Sequence, residues 1–399
     1  METFAKSFTQ QEPIPEQAIE RAVAVMRSGR LHRYNTVSGE IAEAALFERE
    51  FARYIDVPYC LAVASGGYAL HIALRSAGLA PGAPVLCNGY TLSPVPGAIH
   101  NAGGRTVLVE TGEDLTIDLA DLEAAADESG ARMLLLSHMR GHIGDMDALM
   151  TICQRRGITV IEDCAHTMGA RWRGQPSGTF GLVACFSTQT YKHLNSGEGG
   201  LLVTGDAEVM RRAILHSGSY MFYDRHPCAP PPESFEATRF DTPNYSGRMD
   251  NLRAAILRPQ LAGLDQNCRR WNRLYAVLDA GLRGTAGVSM PVRAAHEDFV
   301  GSSIQFRLPG FSAGRIRAFI AACAARGVPV KWFGAEQPDG YTSRFDSWHY
   351  LGAQRPLPRT QLLLSTLCDV RIPLTFDEDD CRTIAAMVGV AIGDCENSR

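Results

Sequence analysis

Short apolar runs alternate with segments of helical spacing through the first half of this chain. Seven runs read as buried strands: Tyr59–Ala64, Pro84–Cys87, Thr106–Val109, Arg132–Leu136, Ile158–Ile161, Leu182–Phe186 and Leu201–Thr204. Between them, residues 68–77, 95–102, 119–127 and 148–155 carry helical spacing. Ahead of the first strand, Glu16–Ser28 places Ile19, Ala22, Val23 and Met26 on one helical face, and residues 40–54 read as a second helix. Strands alternating with helices over residues 59–204 predict βαβ units and a mostly parallel sheet.

The pattern breaks at Ser217–Pro243, where four prolines fall within Pro227–Pro232 and exclude a regular helix or central strand. Tyr220, Phe222, Tyr223, Arg225 and His226 precede them. A long loop of this kind is a disordered insert, a substrate lid or a dimer arm, and its aromatic content favours the last two. Asn251–Leu282 then reads as one long helix with a kink at Pro259. Helical patterns over 310–327 and 377–390, with short strands near Ile304 and Val370, complete a second, smaller unit. The expected division is a large domain over residues 1–250, with an N-terminal arm, and a small one over 251–399.

A length of 399 residues suits two domains, and 45% hydrophobic with 21% charged residues is an ordinary globular composition. The net charge of −4, with no long basic run, gives no indication of nucleic-acid binding. No stretch reaches 18 consecutive apolar residues, so no membrane span is expected, and the polar N-terminus lacks a signal-peptide core. Eleven scattered cysteines without a C-x-x-C pair fit free thiols in a reducing cytoplasm better than disulfides or a metal site.

The chemistry gathers between Val160 and Thr204. One strand ends on Glu162 and Asp163, with His166 three residues beyond Asp163; the next ends near Ser187, and Lys192 follows before the turn Ser196-Gly197-Glu198-Gly199-Gly200. Strand ends and the loops after them are where α/β folds carry their reactive groups. Taken singly, Lys192 is either a solvated surface amine or one that condenses with a carbonyl cofactor; the second needs a pKa well below the roughly 10.4 of free lysine. Earlier in the chain, Ser65-Gly66-Gly67 joins a strand to the helix at Tyr68, an arrangement able to cradle a phosphate on backbone amides.

Glu162-Asp163-Cys164-Ala165-His166, then Ser187-Thr188-Gln189-Thr190-Tyr191-Lys192, then Asn195-Ser196-Gly197-Glu198-Gly199-Gly200 resembles the signature of the DegT-type sugar aminotransferases, read as E-D-x-A-[QH], S-F-H-x-x-K and T-x-G-E-G-G. Those are fold-type-I enzymes dependent on pyridoxal 5′-phosphate. Gly39, Phe47, Glu48 and Phe51, then His138, Gly141, His142 and Asp145-Met146-Asp147, extend the likeness, which covers roughly residues 16–390. The resemblance implies an α/β large domain with a mostly parallel seven-stranded sheet and a smaller α+β domain. It implies that Lys192 forms the Schiff base, Asp163 pairs with the pyridinium nitrogen, His166 contacts the ring and its hydroxyl, and Ser187 binds the phosphate. Gly66, Gly67 and Tyr68 fall on the phosphate motif.

Three positions depart from the family pattern. Gly67 replaces a threonine, Leu92 stands where an aromatic stacks on the cofactor ring, and Ser246 occupies the place of an asparagine that reaches the neighbouring subunit's phosphate. Tyr90 would share a face with Leu92 in an extended segment and is a candidate stacking substitute, against a core or loop role; Asn244, two residues from Ser246, competes with it for the partner's phosphate. The implied activity is amino transfer from glutamate or glutamine to a keto sugar, keto cyclitol or related ketone. It passes through the pyridoxamine form in a homodimer with shared sites. The alternatives are another pyridoxal reaction on an amino acid (decarboxylation, racemisation or carbon–carbon bond formation) and a non-catalytic regulatory protein on the same fold.

Overall fold

The computed structural model describes residues 3–337 and 344–397. Seven strands form the main sheet: β1 (Tyr59–Val63), β2 (Pro84–Asn88), β3 (Arg105–Val109), β4 (Met133–Ser137), β5 (Thr159–Asp163), β6 (Val183–Ser187) and β7 (Gly200–Thr204). Their spatial order is β1-β7-β6-β5-β4-β2-β3. Strand β7 runs antiparallel to both β1 and β6, and the pairs β6/β5, β5/β4, β4/β2 and β2/β3 are parallel. The strands are buried almost end to end, as continuous apolar runs covered on both faces require. Two apolar cores result, one on each face: Phe47, Phe51, Leu134 and Phe186 belong to one, and Leu61, Leu70, Ile99 and Leu135 to the other.

Register sets the site. Ser137 pairs with Asp163 and Asp163 with Cys185, so the carboxyl ends of β4, β5 and β6 lie side by side. Helices start where caps allow: Asp145 accepts the amide of Ala148 at 3.0 Å, and the Ser65 hydroxyl accepts that of Tyr68 at 3.1 Å.

A third core builds on a three-stranded antiparallel sheet whose central strand is Leu367–Arg371, flanked by Ser303–Arg307 and Lys331–Trp332. It is covered by helices Ala313–Ala325 and Glu378–Asn397. Ala254, Leu257, Leu261 and Leu264 pack in the large-sheet core, whereas Leu274, Leu278 and Leu282 belong to the third, together with Phe4 and Phe8 from the N-terminus. The stretch from Ala254 to Leu282 thus contributes to the large-sheet core at its start and to the third core at its end.

The single helix expected over Asn251–Leu282 is two, Asn251–Ala262 and Leu264–Arg283. They meet at Gly263, four residues after Pro259, whose missing amide leaves the preceding turn short of a hydrogen bond. The 217–243 segment is ordered against the body: Phe235 and His226 are buried, with short helical turns at Tyr223–Arg225, Pro232–Phe235 and Thr238–Asp241. All eleven cysteines are buried and unpaired. No helix among the described residues is long and apolar enough to cross a membrane.

Candidate active site

Asp163 closes strand β5 as a buried carboxylate. Its Oδ2 accepts from the Ser137 hydroxyl at 3.0 Å, which in turn accepts from Thr91 at 2.7 Å, and its Oδ1 accepts the Ala165 amide at 3.2 Å. Burial raises its pKa, opposed by the nearby Lys192 charge and by these donors. The neighbouring Glu162 does other work. Its carboxylate accepts the amides of Gly178, Phe180 and Gly181 and lies 3.1 Å from His138, so it fastens the loop after the strand. Cys164 brings a third ligand-type atom beside His138 and Glu162, but that carboxylate is already taken up by its three amides.

Lys192 sits in the turn after β6, its Nζ 2.8 Å from Nε2 of His166. Burial, the charge of Arg140 and, more weakly, that of Arg371 bring the Lys192 pKa down to about 7, against an upward pull from Asp163. A lysine so placed is a nucleophile at neutral pH. Burial and the Lys192 charge likewise push His166 well below its usual value, leaving a neutral imidazole.

The phosphate motif folds as a cradle. Helix Gly66–Ser76 starts beside the end of β6, and a Cβ on Gly66 would stand 2.8 Å from that of Ser187. A Cβ on Gly200 would come within 2.4 Å of the Ser65 carbonyl, so glycine there lets β7 pass under the same turn. At Gly67 a Cβ would meet just Pro94, at 4.0 Å: the missing threonine leaves open space rather than a steric demand.

The residues fit pyridoxal 5′-phosphate on these observations: an amine with a depressed pKa, a buried carboxylate suited to a cationic ring nitrogen, and a helix start with no side chain at Gly66 or Gly67. Lys192, Asp163, His166, Ser187, Gly66 and Gly67 come together.

Tyr68 is engaged in tying the helix to a loop, and Tyr90 takes its core alternative. The Tyr68 amide is spent on Ser65, and its hydroxyl donates to the carbonyls of His216 (2.7 Å) and Tyr245 (3.1 Å), so it ties the helix to the loop before Arg248. Tyr90 is fully buried, edge-on to Phe333 at 5.1 Å, in a core with Leu115, Met139 and Leu363. The chain bends at residues 89–91, which removes the extended geometry that would have set Tyr90 beside Leu92. Leu92 is half-buried against that same core, and Ser246, Asn244 and Tyr245 are exposed.

The sequence reading missed Arg140 and Arg371. Arg140 adopts φ 56°, and its guanidinium bonds Asp369 at 2.8 Å. Arg371 lies over the ring of Tyr191 at 3.9 Å. With Phe8, both arginines and Tyr191 border the crevice that holds Lys192 and His166. Arg140 had a signal, since it stands between His138 and Gly141, two residues that carry the family likeness. Arg371 had none nearby.

A mostly parallel sheet presenting an amine, a carboxylate and a phosphate cradle at the ends of adjacent strands is the plan of the fold-type-I pyridoxal-phosphate enzymes. The profile of the DegT/DnrJ/EryC1/StrS aminotransferase family matches residues 13–346, and the chain belongs to that family. It is 36% identical over 256 residues to the dTDP-3-amino-3,4,6-trideoxy-alpha-D-glucose transaminase of Streptomyces venezuelae, covering 63% of each chain. It is 32% identical over 295 residues to the 3-amino-5-hydroxybenzoate synthase of Amycolatopsis mediterranei (strain S699), covering 72% of each. The matched segment thus spans 63% of the first relative's length and 72% of the second's. A crystal structure of DesV from S. venezuelae with a ketimine intermediate superposes with a TM-score of 0.79 and 29% identity, covering 96% of this chain and 95% of that one.

Proposed function

We propose that this chain is a pyridoxal-phosphate-dependent aminotransferase that moves an amino group from glutamate or glutamine to a keto sugar, keto cyclitol or related ketone. The observation that carries this is the Lys192 amine, brought to about 7 by burial and Arg140 and held 2.8 Å from a neutral imidazole. The cofactor, when bound, accepts the electron pair left by the donor's Cα–H bond and carries the amino group between substrates.

Everything else falls to the chain. Asp163, aimed by Ser137 and the Ala165 amide, holds a proton at the ring nitrogen. The amides of Gly66 and Gly67 and the Ser187 hydroxyl bind the phosphate. Lys192 removes the proton at the donor's Cα and, in the second half of the cycle, delivers one to the acceptor's carbonyl carbon. His166, neutral and within hydrogen-bond reach, orients that amine.

The same reading makes the working unit a homodimer, with exposed Ser246 or Asn244 reaching the partner's phosphate; exposed Tyr245 between them supports it. Eleven buried free thiols support action in a reducing cytoplasm. Incubating the purified protein with labelled glutamate or glutamine and a panel of ketones should yield the donor's keto acid and an aminated acceptor, with Lys192→Ala inert. Undiminished transfer by Lys192→Ala would overturn the assignment.

A further inference from the structure

The hydroxyl that touches Asp163 has a chain of its own behind it. Ser137 pairs with Asp163 in register across β4 and β5, and its hydroxyl donates to Oδ2 at 3.0 Å. With that proton committed, the Ser137 oxygen accepts from the hydroxyl of Thr91 at 2.7 Å. Asn88 fixes the middle of the chain. Its side-chain oxygen accepts the Ser137 amide at 3.0 Å, and its side-chain nitrogen donates to the Ser137 carbonyl at 3.1 Å. The β2–β4 pairing ends at Cys87 and Leu135, and the Asn88 side chain carries it on to Ser137. Asn88, Thr91 and Ser137 are all buried.

A carboxylate offers about four lone-pair positions. At Asp163 the Ala165 amide takes a position on Oδ1 and Ser137 takes one on Oδ2, which leaves a place on each oxygen for a ring nitrogen. The Lys192 amine, His138 and the thiols of Cys87, Cys164 and Cys185 face the same carboxylate. Burial pushes those thiols up and keeps them neutral. In so dry a place, a proton shared between a carboxylate and a ring nitrogen is drawn to the oxygen, because neutral partners avoid the penalty of two buried charges. Hydrogen bonds donated to the carboxylate oppose that drift by favouring its charged form. A second hydroxyl behind the first polarises it and strengthens the bond it donates.

We propose that Ser137, polarised by Thr91, is a positioning residue that acts through Asp163 and keeps the shared proton on the cofactor's ring nitrogen. The hydroxyl thus does more than aim the carboxylate: its loss moves the proton equilibrium toward Asp163 by roughly tenfold or more. The inference rests on the reading in which Asp163 faces that nitrogen.

¹⁵N magnetic resonance of the protein loaded with ring-labelled pyridoxal 5′-phosphate reads the proton's place directly, without turnover. Asp163→Asn, whose amide cannot hold the nitrogen protonated, marks the unprotonated end of the scale. Ser137→Ala should move the resonance roughly a quarter or more of the way from the wild-type position to that end. Thr91→Val, which keeps the shape, should move it less and in the same direction. Ser137→Thr, which keeps the hydroxyl, should leave it in place. Damage to packing alone would lower cofactor occupancy without moving the resonance of the molecules still bound. An unmoved resonance in loaded Ser137→Ala would overturn the proposal, as would an equal movement in Ser137→Thr. Should Ser137→Ala fail to load, Thr91→Val decides, and no movement there overturns it. Failure of the aminotransferase reading shows separately, as one resonance common to the wild type and Asp163→Asn.

Discussion

Nζ of Lys192 lies 2.8 Å from Nε2 of His166, and neither group has its ordinary basicity. Burial is the largest cause for both. Arg140 adds to it, and Asp163 opposes it at the lysine, which leaves that amine near 7. A solvated lysine is unprotonated about once in a few thousand molecules at neutral pH. Here the neutral amine is a major species before any substrate arrives.

Capture of the cofactor aldehyde by the apoprotein should follow that titration. The reactive form is the unprotonated amine, so the rate should be low below the Lys192 pKa, rise through a midpoint of about 7 and level off above it. Stopped-flow absorbance of the forming Schiff base measures it. A midpoint near that of free lysine would show that the site does not activate the amine.

Asp163→Asn should separate holding the cofactor from using it. The amide keeps the shape and the Ser137 contact but cannot stabilise a protonated ring nitrogen. Removing an electrostatic partner of this kind costs roughly 10²–10³ in rate. Single-turnover reaction with glutamate should slow by that order while the Schiff-base absorbance persists. Wild-type rates in the variant would remove Asp163 from the chemistry.

The parts of this site legible in the sequence are those written in one continuous stretch. Asp163, His166, Ser187 and Lys192 lie on strand ends and turns whose spacing the parallel sheet converts directly into proximity. Tyr90 takes the core alternative of its two readings, because period-two reasoning holds along an extended backbone and the chain bends at residues 89–91. Arg371 reaches the site from the central strand of another sheet, nearly two hundred residues from Lys192, and nothing local to it marks that destination. The break falls at Gly263 rather than at the kink expected from Pro259, because the helix Asn251–Ala262 carries the proline within its last turn and ends after it.

Glu48 anchors a buried network that joins the loop before the second helix to the proline-rich segment. Arg33 donates to both of its oxygens at 2.7 and 2.8 Å, and His226 stands between Arg33 (3.1 Å) and the hydroxyl of Tyr34 (2.7 Å). Burial alone would raise the Glu48 pKa, but Arg33 and His226 outweigh it and hold it at about 2. Its contribution is therefore complete above the unfolded value of about 4.3 and is lost as pH falls through the folded one. Glu48→Gln leaves Arg33 a buried, uncompensated cation and should cost about 3–5 kcal/mol in urea unfolding. A loss under about 1 kcal/mol would show the network to be dispensable.

Gly66→Ala tests the cradle. The new methyl would fall 2.8 Å from the Ser187 Cβ, a distance the backbone must open to relieve. Cofactor affinity should weaken by about tenfold or more, equivalent to about 1.4 kcal/mol, while the far-ultraviolet circular dichroism stays unchanged. Equilibrium titration with pyridoxal 5′-phosphate reads it. Unchanged affinity would place the phosphate elsewhere.

The segment from Ser217 to Gly247 keeps one side buried and turns another outward. Phe235 is fully buried, yet Tyr220, Met221, Phe240 and Tyr245 are 52%, 62%, 78% and 61% exposed. Several large apolar side chains left to solvent in one segment favour association, since each gains about 25 cal/mol per Å² when covered. Light scattering of the purified protein should give about twice the chain mass of 43.4 kDa. The double substitution Phe240→Asp with Tyr245→Asp should shift it toward the single-chain mass and weaken cofactor retention, because Ser246 or Asn244 would no longer reach a partner's phosphate. A wild-type mass of one chain would end the shared-site reading. A variant that stays dimeric would move the interface away from this segment.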